Sequence, residues 1–149
     1  MWKKRVLPPT YLLISLFVMA VLRFAFPASQ IVKLPWNLLG VIPLAVGIWL
    51  NLAADHAFRR ADTTVKPFVE STALITSGVY RISRHPMYLG FTLVLLGVAI
   101  LLAALTPFLF VPLFALVMDR LFIAPEEEML EQRFGLTWLE YKHRVRRWL

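Results

Sequence analysis

Four apolar runs, residues 10–26, 36–54, 87–105 and 108–123, divide this chain and decide what it can fold into. A bilayer core about 30 Å thick takes about 20 apolar residues in a helix, and backbone in lipid must satisfy its own hydrogen bonds. The runs predict an all-α fold: an integral membrane helical bundle of about four transmembrane helices. Composition agrees, because 59% of the 149 residues are hydrophobic, against about 45–50% in a soluble domain. At this length the whole chain, residues 1–149, reads as one domain.

The charges are arranged around the runs. The chain carries a net charge of +7, a balance that also suits nucleic acid. Here, however, the basic residues flank apolar runs and form no single basic face, which excludes a nucleic-acid partner. Of the 16 Lys and Arg, only Arg23 and Lys33 fall on the side of the membrane reached after the first span. The positive-inside rule then puts both termini and the segment 55–86 in the cytoplasm, as in a multi-pass protein of a cell's inner membrane. Arg23 reads as a snorkelling residue. The start, MWKKRVLPP, resembles the basic end of a signal peptide, but no small-residue cleavage site follows, so it reads as a retained first span. There is no cysteine, which removes disulfides, thiolate nucleophiles and Cys-based metal sites. His56, His85 and His143 are scattered, and no metal site is expected.

Several local features carry structure. Pro43 should kink the second run or be accommodated by a neighbour. Thr106–Pro107 reads as the break of an antiparallel hairpin between runs three and four. Asp119 and Arg120 form an ionisable pair inside the fourth run, a functional candidate or a self-paired interfacial couple. In the tail, Pro125 suits the first position of a helix, with Glu126, Glu127 and Glu128 in its first turn. Gly135 can close that helix, and Thr137 with Glu140 has capping-box spacing for another. Trp138, Tyr141, Val145 and Trp148 would form its apolar face and Lys142, Arg144, Arg146 and Arg147 its basic face, a helix lying on an anionic leaflet.

The chemistry gathers in two places. Pro86 is well placed to open the third span, leaving the N–H groups of Met87, Tyr88 and Leu89 free to receive a carboxylate or phosphate. Arg84 and His85 add donors, Tyr80 and Tyr88 add hydroxyls, and Gly90 allows close approach of another group. The bland alternative is an interfacial anchor. The second place is Glu126–Glu128, either complements of a helix dipole or a cation site. The hairpin brings both clusters to one membrane face, and an anion site beside a cation site suits a zwitterionic amino acid, such as the amino-acid end of S-adenosylmethionine.

The motifs LITSGVYRISRHPMYLG (residues 74–90) and EEEMLEQRFGLTWLEYKHRVRRW (residues 126–148) resemble those of the isoprenylcysteine carboxyl methyltransferase and phospholipid methyltransferase family of membrane enzymes. The resemblance implies S-adenosyl-L-methionine as methyl donor at the cytoplasmic face and a lipophilic acceptor, a carboxylate, amine or hydroxyl of a lipid or prenylated small molecule. It implies that Tyr80, His85, Pro86, Met87 and Tyr88 line the cofactor site, that Thr72, Ala73, Leu74 and Ile75 contact the adenosine, and that Glu126 holds the amino-acid end. Glu127 and Arg120 are the residues expected to act on the acceptor. Eukaryotic prenylcysteine members carry an Arg four residues before the first Glu, where this chain has Phe122, which points to another acceptor. Two other functions compete: an NADPH-dependent membrane sterol reductase, which shares a related RHP-x-Y stretch, and a non-catalytic membrane assembly protein.

Overall fold

The computed structural model describes residues 7–25, 30–62 and 73–149. Among them every element is helical: α1 (Pro8–Ala25), α2 (Val41–Arg60) led by a 3-10 turn (Trp36–Gly40), α3 (Pro86–Leu102), α4 (Leu105–Met118), α5 (Ala124–Phe134) and α6 (Leu136–Arg144). Three helical stretches are long and apolar enough to cross a membrane: Pro8–Ala25, Trp36–Arg60 and Leu105–Phe134. The third expected span, α3, is apolar but has only 17 residues. At 1.5 Å per residue it extends about 25 Å, short of a full bilayer core.

The two prolines at helix starts sit where they cost least. Pro43 falls in the first turn of α2 and Pro107 in the first turn of α4, positions whose N–H groups need no intrahelical partner. The hairpin break therefore lies three residues earlier than Thr106–Pro107, at Ala103–Ala104. Ala103 takes a left-handed conformation (φ 59°) that ends α3, and Ala104 is extended. Arg23 does not simply snorkel. Its Nε donates to the Leu102 carbonyl at 3.0 Å, Asn37 Nδ2 donates to Leu101 O at 3.3 Å, and the Ile31 N–H donates to Ala103 O at 3.0 Å. These donors satisfy carbonyls that a helix C-terminus leaves without intrahelical partners.

α2 and α3 run antiparallel along a seam of small residues. Gly47 faces Gly90, and Gly40 faces Gly97; a Cβ on Gly47 would stand 2.5 Å from the Gly90 carbonyl oxygen. Both pairs repeat at seven residues, so one face of each helix is flat enough for backbone-to-backbone contact. The group that Gly90 lets approach is thus α2 itself, with the Asn51 amide beside it.

Two cores meet at the start of α3. Met19, Leu95, Ala99, Phe114, Met118 and Phe122 join α1, α3 and α4. Leu50, Ala54, Val79, Leu89, Trp138 and Tyr141 join α2, the 3-10 turn Gly78–Arg81 and α6. Tyr88 belongs to the first and Leu89 to the second, so the first turn of α3 is held from both sides.

The tail departs from expectation at three points. α4 does not stop before Pro125; it passes through a π turn, Asp119–Ile123, straight into α5, and the residue before α5 is itself helical. The wider π turn makes room for a proline ring that would otherwise strike the preceding turn. Glu126–Glu128 therefore sit inside a continuous helix and do not complement a free N-terminus. Gly135 does end α5, at φ 51°, but α6 begins at once and leaves no capping role for Thr137. Finally, the apolar face of α6 is spent on the protein: Trp138 and Tyr141 are buried, and the Tyr141 hydroxyl donates to Tyr80 O at 2.7 Å. Val145 and Trp148, the rest of that face, are half-buried against the same packing. Beyond Arg144 the backbone turns extended and crosses the RHP segment.

Candidate functional site

The 3-10 turn Gly78–Arg81 opens on a glycine at φ 62°, which turns the chain so that Val79 and Tyr80 are buried. The next residues lead into α3. Ser83 is fully buried, and its Oγ accepts the His85 N–H at 3.1 Å while donating to Arg147 O at 3.0 Å. His85 caps α3 and Pro86 is its first residue, as the sequence predicts. The Leu89 N–H is taken by His85 O at 3.1 Å. The N–H groups of Met87 and Tyr88 have no protein partner among the described residues, so two of the three expected donors are available.

These residues form one wall of a cavity. Its polar part is Tyr80, Arg84, His85, Tyr88 and Glu126, with Pro86 and Met87 at the helix start. Its apolar part comes from three other helices or helix faces: Leu7, Pro8 and Pro9 at the head of α1, Phe58 in α2 and Phe91 in α3. No local signal in the sequence marked the α1 or α2 residues, because only the tertiary packing brings them here.

The two central glutamates do different things. Glu126 lines the cavity, and its Oε2 accepts the Tyr88 hydroxyl at 3.2 Å. Among the described residues no Lys, Arg or His side chain lies within ion-pairing distance of it. Glu127 is 4% exposed and fully engaged. Its Oε1 meets Arg84 at 2.9 Å and His85 Nε2 at 3.2 Å, and its Oε2 meets Arg147 at 2.5 Å. A carboxylate shared by two guanidinium groups and a histidine is a poor proton acceptor. Glu127 therefore sits at the centre of a buried ion network and does not line the cavity. The Glu127 carboxylate in turn pushes the Arg147 guanidinium up against the opposing effect of burial. Burial, reinforced by the charge of Glu126, pushes the Tyr80 phenol up, so it remains a neutral donor.

The other expected site residues scatter. Arg120 is exposed and does not line the cavity. Asp119 pairs with Arg147 at 3.2 Å, so the Asp119–Arg120 couple does not exist. Leu74 and Ile75 pack against the core around Tyr80, and Ala73 is half-buried beside them in sequence. Thr72 lies outside the described residues. Phe122 is buried against Tyr11 and Tyr88, with ring centroids at 5.6 and 6.3 Å, so no cation stands at that place. Arg147 is the residue whose place the sequence conceals most: its position suggests a surface face, yet it reaches the centre of the site. Among the described residues no group of three metal-binding side chains occurs.

Among the described residues the site offers a carboxylate held in no ion pair, two free helix N–H groups and an Arg–His pair, opening onto an apolar vestibule. That is a frame for a zwitterionic ligand beside an apolar one, in a helical protein embedded in a membrane. Comparison with known proteins gives the same class a family. The phospholipid methyltransferase profile matches residues 36–137. Protein-S-isoprenylcysteine O-methyltransferase A of Arabidopsis thaliana is 37% identical over 111 residues, 71% of this chain and 55% of the relative. The Saccharomyces cerevisiae protein-S-isoprenylcysteine O-methyltransferase is 38% identical over 95 residues, 62% of this chain and 38% of the relative. The solved eukaryotic intramembrane Ras methyltransferase, an isoprenylcysteine carboxyl methyltransferase, superposes with a TM-score of 0.64 at 25% identity, over 94% of this chain and 51% of that one. The chain belongs to the phospholipid methyltransferase family and is an integral membrane protein. It spans roughly half or less of the length of these three relatives.

Proposed function

We propose that this protein transfers a methyl group from S-adenosylmethionine to a lipophilic acceptor at the cytoplasmic face of a cell's inner membrane, with both termini on that side. The observation that carries the proposal is Glu126, a carboxylate lining the cavity that, among the described residues, is hydrogen-bonded by the Tyr88 hydroxyl and held in no ion pair. It is placed to take the ammonium of the cofactor's amino-acid end. The N–H groups of Met87 and Tyr88, with His85 and the charge of Arg84 beside them, are placed to take its carboxylate. Tyr80 and the backbone of residues 73–75 would receive the adenosine.

The cofactor supplies a methyl group already activated on a sulfonium, so the protein's work is to align the two partners and exclude water. Phe58, Phe91 and Leu7–Pro9 provide the apolar surface for the acceptor's lipid portion. The buried Phe122 offers no charge to an acceptor carboxylate, which favours an uncharged or amine-bearing lipid.

Calorimetric titration of detergent-purified protein with S-adenosylhomocysteine, with NADPH as the parallel ligand, tests the reading. Binding of the first alone is expected, and binding of NADPH alone would transfer the chain to a reductase function. Glu126→Gln and His85→Ala are expected to weaken S-adenosylhomocysteine binding by about 10-fold or more, the worth of one charge-assisted hydrogen bond. Unchanged affinity in both would place the cofactor elsewhere. Arg120→Ala, by contrast, is expected to leave affinity and turnover near those of the parent protein.

A further inference from the structure

The end of the chain is bound into the site by contacts that touch no ligand. Arg84 N–H donates to Arg146 O at 3.0 Å, and Ser83 Oγ donates to Arg147 O at 3.0 Å. These two bonds lay residues 146–147 across the segment that carries His85. The Arg147 guanidinium then reaches two carboxylates of one continuous helix: Asp119, at 3.2 and 3.4 Å, and Glu127, at 2.5 Å. Eight residues separate them. On a regular α-helix, at about 100° per residue, they would stand about 80° apart around the axis. The π turn Asp119–Ile123 lies between them, and its wider winding reduces that angle. Arg147 therefore bridges the two ends of the irregular turn that aims Glu126 and Glu127 at the site.

We propose that Arg147 is a positioning residue that acts through Glu127: it holds one carboxylate oxygen so that the other is presented to His85 and Arg84. Arg147 does not line the cavity. Its side chain is 36% exposed, whereas that of Glu127 is 5% exposed, so the arginine clamps a buried group from the rim. The effect on ligand rests on the proposed cofactor; the linkage to His85 does not.

A double-mutant cycle on S-adenosylhomocysteine affinity tests it. Arg147→Gln is expected to weaken binding about 10-fold, and Arg147→Lys, which keeps the charge but cannot span both carboxylates with one ammonium, to recover only part of that loss. In a Glu127→Gln background, adding Arg147→Gln is expected to have almost no further effect. Equal losses in both backgrounds, or equal losses for the Lys and Gln variants, would overturn the proposal. If the parent protein binds no S-adenosylhomocysteine, the cofactor reading fails and the linkage is read without ligand. The imidazole nitrogen resonances of His85 should then move in Arg147→Gln and stay in place in Arg144→Gln, an exposed arginine of α6. Unmoved His85 resonances in Arg147→Gln would sink the linkage as well.

Discussion

Replacing Glu127 by alanine is expected to destabilise the protein by about 3–5 kcal/mol, the usual consequence of removing one partner from a buried ion network. The reason is local. Arg84 is buried, with 7% of its side chain exposed, and loses the carboxylate that compensates its charge. Among the described residues its Nε already lacks a hydrogen-bond partner, as does the nearby Trp138 Nε1, so few polar groups remain to take over. Thermal unfolding in detergent, followed by tryptophan fluorescence, measures the loss. The neighbouring Glu126→Gln should leave the midpoint almost unchanged, because that carboxylate lines a cavity and, among the described residues, is held in no ion pair. Similar midpoints for the two variants would show that Glu127 does not hold the network together. Stability and ligand affinity would then separate on adjacent residues, which a sequence motif of two glutamates does not announce.

The second large effect is expected at the α2–α3 seam. Gly90→Val brings a branched side chain against the Asn51 amide and within 2.7 Å of the Gly47 carbonyl oxygen. Both helices must separate, since backbone cannot rotate away as a flexible side chain can. Overpacking of this kind costs about 1–3 kcal/mol and often more where backbone is the obstacle. The consequence should extend to the site, because α2 carries Phe58 and α3 carries His85 at its head. Gly47→Leu should behave in the same way from the opposite side, whereas Leu52→Ala, on an exposed face of α2, should be nearly neutral. Paired thermal-stability and S-adenosylhomocysteine titrations would show it; a folded, ligand-binding Gly90→Val protein would mean that the helices do not meet here.

The relation between sequence and structure is clearest at particular residues. Pro86 announced the start of α3 because a proline both forbids an upstream helical hydrogen bond and fits a first turn. Pro125 carried the same signal and misled, because a π turn can absorb a proline inside a continuous helix. Arg23 looked like a residue reaching for head groups, yet α3 is short and its carbonyls end within the arginine's reach. Trp138 and Tyr141 lay on an apolar stripe that could equally face lipid or protein; periodicity defines a stripe but not what covers it.

By itself the sequence determined the features that local chemistry dictates. Apolar runs in a backbone that must satisfy its own hydrogen bonds allow little besides a membrane helical bundle, and a proline after Arg–His sets a helix start with open N–H groups. The tertiary structure alone decided the division of labour in the site. Which glutamate meets two guanidinium groups and an imidazole and which lines the cavity depends on the winding between Asp119 and Glu127 and on a tail that returns Arg147 across residues 83–85. Those contacts join residues 20 to 64 positions apart, and long-range packing of that kind leaves no periodic or local trace along the chain.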